Sequence, residues 1–108
     1  MDIKINFGNV KDWEHFHTIF KETMGFPDFY GRNLDAWIDC MSYIDDPEAG
    51  MSTVTVESGE SLEINIIGTE EAFKNCPEIF QAFLECSTFV NQRFIEANST
   101  TRLKLIAT

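Results

Sequence analysis

LEINII, the run from Leu62 to Ile67, reads as a strand buried in a sheet: β-branched residues dominate it and Gly68 closes it. Thr69, followed by Glu70 and Glu71, then reads as a helix start. Toward the N-terminus, Ile3, Ile5 and Phe7 alternate with Lys4 and Asn6, which predicts a first strand ending at Gly8. In the other direction, Cys76-Pro77 breaks the chain before a longer helix over about 78–97, because the residue before proline is pushed out of the α region. Ile79, Phe80, Phe83, Phe89, Val90, Phe94 and Ile95 are its expected contributions to the core. Asn98 to Thr101 is a turn, and Leu103, Leu105 and Ile106 mark a last strand.

Between the first strand and LEINII lie two more helical patterns. Asp12 caps the first, with Trp13, Phe16, Ile19, Phe20 and Met24 at helical spacing and Gly25 as its stop. Asn33 caps the second, in which Leu34, Trp37, Ile38, Met41 and Ile44 share an apolar stripe while Asp35, Asp39 and Ser42 fall on a wetter face. The looser segment Asp45 to Ser61 holds an extended piece, and Thr53 to Val56 is a candidate for an additional edge strand. The order is β-α-α-β-α-α-β. Strands joined through helices form a parallel sheet covered by those helices. The expected architecture is therefore α/β, a small three-stranded parallel sheet packed by about four helices, in one domain over residues 1–108.

Composition narrows the functional classes. The chain carries 18 acids against 8 bases, a net charge of −10, with a pI near 4.4 and 44% apolar residues. Such a field repels nucleic acid and anionic lipid and favours encounter with a basic protein. No segment has the long apolar run of a membrane span, and the N-terminus lacks the pattern of a signal peptide. Cys40, Cys76 and Cys86 are odd in number and show no metal-ligand spacing, so the reading is free thiols in a reducing, cytoplasmic compartment, with no metal and no cofactor. His15 and His17 sit two apart on a predicted helix, face different directions, and read as surface or edge residues without a nucleophile to activate.

The chemistry concentrates between Phe26 and Met41, FPDFYGRNLDAWIDCM. Asp35 and Asp39 stand one helical turn apart with no basic residue between them, and like charges at that spacing repel by ~0.2–0.5 kcal/mol. From Phe26 to Gly50 there are six acids and one base, Arg32, interleaved with Phe29, Tyr30, Trp37 and Tyr43. Acids beside aromatic anchors suit a surface made for a basic cleft. An acid/base pair for hydrolysis needs opposed carboxylates across a cleft, which adjacent turns of one helix do not provide.

This stretch, from Phe26 through Cys40, resembles the barstar family of ribonuclease inhibitors: hydrophobic-Pro-acid-aromatic-Tyr-Gly-x-Asn-Leu-Asp-Ala-x-x-Asp-Cys. The resemblance implies a three-stranded parallel sheet packed by helices, the architecture already expected from the element order. It also implies inhibition by plugging, in which the aspartates occupy the places of RNA phosphates in a ribonuclease active site. Asp35 and Asp39 fall on the family's acidic contact positions. Phe29, Tyr30, Gly31, Asn33 and Leu34 fall on its contact loop, Ile38 beside them, and Glu96 in FIEA on a further interface acid. Phe29 replaces a tyrosine and Ile38 a tryptophan of the best-known member, and the segment from Asp45 to Pro77 is longer. These departures leave the target ribonuclease open. The resemblance points to a non-enzymatic immunity protein, a monomer when free, in one-to-one complex with a basic ribonuclease toxin. An adaptor binding another basic protein is the alternative.

Overall fold

Three strands lie side by side in chain order, β1 (Asp2–Asn6), β2 (Ser61–Ile67) and β3 (Arg102–Ala107), and both pairings are parallel. This computed structural model describes all 108 residues. Ile3 is opposite Ile64, Ile5 opposite Ile66 and Leu62 opposite Leu103, so one face of the sheet is continuously apolar. The alternate residues Asp2, Lys4, Glu63 and Lys104 are exposed. The helices therefore cover a single face, and the sheet is half-buried in spite of being wholly parallel.

Four helices complete the fold: α1 (Trp13–Met24), α2 (Leu34–Ser42), α3 (Thr69–Asn75) and α4 (Pro77–Glu96). Asp12 caps α1 by accepting from the His15 amide at 2.8 Å, and Asn33 caps α2 by accepting from the Ala36 amide at 2.8 Å. Pro77 occupies the first turn of α4, where its missing N–H is not needed. An aromatic cluster locks the layers together. Phe7, just after β1, packs on Phe83 of α4 at 4.9 Å between ring centres; Phe16 meets Phe20 at 5.0 Å; Trp37 of α2 meets Phe20 at 5.4 Å and Phe83 at 6.0 Å. Such pairs contribute ~0.5–1.5 kcal/mol each beyond the area they bury. Trp37 is fully buried and fixes the rotation of α2, which turns Asp35 and Asp39 outward.

In two places the elements or the core differ from the sequence expectations. Thr53 to Val56 forms no fourth strand: the Thr53 and Val54 amides donate to the Met24 carbonyl and the Val56 amide to that of Ile44, so the segment spends its hydrogen bonds on helix ends. Phe89 and Ile95 are 52% and 50% exposed, because the buried stripe of α4 runs through Ile79, Phe80, Phe83, Ser87, Val90 and Phe94 and leaves both off its line. Trp13, at the first turn of α1, is 39% exposed. α3 starts at Thr69, as the sequence indicates, with Gly68 at φ 78° as its N-cap and no side-chain capping bond.

Candidate functional site

The loop before α2 is held from beneath. Tyr30 is 5% exposed and its hydroxyl lies 2.5 Å from Nδ1 of His17, itself 4% exposed on α1. Burial, with the Arg32 guanidinium nearby, lowers the His17 imidazole from its ordinary 6.5 to about 4. Burial pushes the Tyr30 phenol well above its ordinary value. The tyrosine therefore keeps its proton and donates it to a neutral histidine. His17 is thus a buried structural partner, where the sequence suggested a surface or edge residue.

Arg32 ties the same loop from outside. Its Nη2 donates to the Glu14 carbonyl at 2.9 Å and to Thr18 Oγ1 at 2.5 Å. Arg32 has a φ of 54°, a left-handed conformation that is uncommon for a residue other than glycine. Its two contacts with α1 hold the backbone there.

On this platform the residues singled out by sequence divide into supports and exposed groups. Tyr30 faces inward, Asn33 caps α2, and Leu34 and Ile38 are half-buried against the core. Gly31 is exposed, and a Cβ there would stand 3.2 Å from the Asn33 amide nitrogen, close to the capping side chain. Phe29 is 75% exposed, the most exposed large apolar residue of the chain. Asp35, Asp39 and Glu96 are all exposed, Glu96 at the last residue of α4. A carboxylate at a helix C-terminus opposes the helix dipole, so Glu96 does not stabilise the helix that carries it.

The two aspartates have different surroundings. Asp35 lies in the first turn of α2, where the helix dipole favours an acid by ~0.3–1 kcal/mol and offsets its repulsion with Asp39. Asp39 is paired across helices: Oδ1 accepts from Nη1 of Arg93 on α4 at 2.8 Å. The acidic face expected to be unpaired is therefore half-paired. An exposed pair of this kind contributes ~0–1 kcal/mol. Their field extends inward, since Asp39 adds to the burial that raises the Cys40 thiol to about 11. Asp35 and Glu85 add to the burial that raises Cys86 on α4. These thiols are held protonated and unreactive at neutral pH.

No hollow in the surface includes Asp35 or Asp39. The largest, about 650 Å³ in volume, lies at the C-terminal ends of the strands among Asn6, Gly8, Gly68 and Thr108. The acidic face forms no cavity of its own and so does not enclose a substrate. No group of three or more His, Cys, Asp or Glu side chains is gathered to hold a metal ion.

Sequence reasoning missed three residues around this face. Arg93 is the only base between Lys74 and Arg102, but its partner on another helix depends on how α2 packs against α4. His17 and Arg32 likewise act across elements, and no local spacing reports such contacts.

Comparison with known proteins supplies the affiliation. The chain is 49% identical over 37 residues to the "Putative ribonuclease inhibitor YrdF" of Bacillus subtilis, a stretch amounting to 34% of this chain and 37% of that protein. The family model described as "Barstar (barnase inhibitor)" matches residues 1–106. With the parallel three-stranded sheet and its helical cover, that match establishes that the chain belongs to the barstar family.

Proposed function

We propose that the chain is an intracellular inhibitor of a ribonuclease, the cytoplasmic immunity protein of a bacterial ribonuclease toxin. In this reading α2 inserts into the active-site cleft, and Asp35 and Asp39 take the positions of RNA phosphates. Phe29, Gly31, Asn33, Leu34 and Ile38 line the contact, Tyr30 supports it, and Glu96 reaches the cleft from α4. One observation carries the reading: a helix face with no cavity of its own, in a chain of net charge −10, exposes two carboxylates near a 75%-exposed phenylalanine on a loop anchored from both sides. Groups that hold phosphate also bind carboxylate, and with arginine they do so directionally.

The test is titration of the ribonuclease toxin proposed as its partner with the purified chain, read by RNA cleavage. Activity should fall linearly to its floor at one equivalent. Complex formation with undiminished cleavage supports the second reading, an adaptor for another basic protein. That reading is favoured by the Arg93–Asp39 pair, which leaves less free negative charge on α2.

A further inference from the structure

The molecule holds a single ion pair, although it carries 18 acids and 8 bases. That pair lies on Asp39, one of the two carboxylates proposed to meet the target. Arg93 projects from the last turn of α4, and its guanidinium carbon stands 5.5 Å from the ring centre of Phe89 one turn earlier. The same side chain lines a hollow of about 310 Å³ together with Tyr43, Asp45 and Asp46. Glu96 follows three positions later, on a neighbouring part of the helix surface. A braced positive charge therefore sits within the face whose acids are proposed to receive a basic cleft.

We infer that Arg93 is a specificity-determining residue, an internal competitor that occupies Asp39 and restricts which phosphate-binding clefts this face accepts. The inference rests on the inhibitor reading and names a control built into its site. For a target cation to reach Asp39, Arg93 must give up the carboxylate or share it. Giving it up is easy in water, because an exposed pair is weak. The difficulty follows on closure. Arg93 is rooted on α4, which packs on α2, so its charge stays beside the incoming cations as water leaves. Like charges in a desolvated interface repel far more strongly than an exposed pair attracts. Competition therefore outweighs any benefit from holding Asp39 in position, and removing the guanidinium should improve binding to a cleft rich in cations. A residue that only positioned Asp39 would give the opposite sign.

The probe is purified barnase, the ribonuclease named in the family's description. Binding is measured for the natural chain and for Arg93→Ala, Arg93→Lys, Lys104→Ala, Asp39→Ala and the Asp39→Ala, Arg93→Ala pair. Lys104 is exposed on the open sheet face, so its loss changes net charge equally without touching the site. Arg93→Ala should bind at least about tenfold more tightly than the natural chain, while Lys104→Ala changes binding by less than about threefold. Arg93→Lys, which keeps the charge, should resemble the natural chain, and the gain from removing Arg93 should be smaller in the Asp39→Ala background, where the repulsion remains but no carboxylate is released. The inference is overturned if Arg93→Ala binds no better than Lys104→Ala, if it fails to bind, or if its gain is as large without Asp39 as with it. Inhibition by the natural chain that Arg93→Ala leaves unimproved removes the competitor and keeps the inhibitor reading. Failure of every variant against both barnase and the ribonuclease toxin proposed as the chain's partner removes both.

Discussion

At the scale of single residues, the support beneath the loop depends on the protonation of one imidazole. His17 is neutral in the folded chain down to about pH 4, while the unfolded chain takes up its proton near 6.5. The unfolded state therefore binds more protons between those values, and this group's contribution to stability falls as pH drops through that window. The full difference is on the order of 3 kcal/mol. Urea unfolding midpoints should decline from pH 6.5 to pH 4, and His17→Gln should flatten that decline. Equal pH slopes for the two proteins would show that His17 is not the group responsible. The residue-level reading from sequence was strongest for groups that act locally. Asn33 is a cap because its side chain reaches its own helix, and Trp37 is core because its helical phase matches Met41. His17 and Arg93 act across elements 13 and 54 positions from their partners, where no periodicity reports the contact.

At the scale of elements, the segment between α2 and β2 is a strap and not a strand. The Thr53 amide donates to the carbonyls of Met24 at 2.9 Å and Gly25 at 3.1 Å, which fastens the strap to the end of α1. Gly25 has a φ of 68°, and a Cβ there would collide with the Thr53 side chain. Gly25→Ala should therefore lose ~2 kcal/mol or more, the ~1–2 kcal/mol of a left-handed residue plus the displacement of the strap. Chemical denaturation checks this, and a loss under ~0.5 kcal/mol would mean that the strap yields without cost. The extended character of Thr53 to Val56 was legible from β-branched residues. Its destination was not, because an extended segment satisfies its amides equally well on helix ends or on a sheet edge. The strand–helix alternation was legible throughout: hydrophobic period and the Gly25 and Pro77 punctuation act within each segment.

At the scale of the whole molecule, the net charge of −10 and the exposed acids of α2 act together. A field of that sign steers a basic partner from a distance, and salt screens it over about 8–10 Å near physiological ionic strength. Stopped-flow association with the target should slow by about tenfold or more between 50 mM and 500 mM salt, while dissociation changes less. An association rate indifferent to salt would remove steering from the account. The central claim concerns the two carboxylates on α2, and it is tested most directly by the inhibition constant of the Asp35→Ala, Asp39→Ala double variant against the ribonuclease proposed as its partner. Neither substitution enters the core, so the variant should fold with a stability change within ~1 kcal/mol. Each lost carboxylate leaves a desolvated cation unpaired at ~2 kcal/mol or more, so inhibition should weaken by roughly a thousandfold. Inhibition equal to that of the natural chain would contradict the claim.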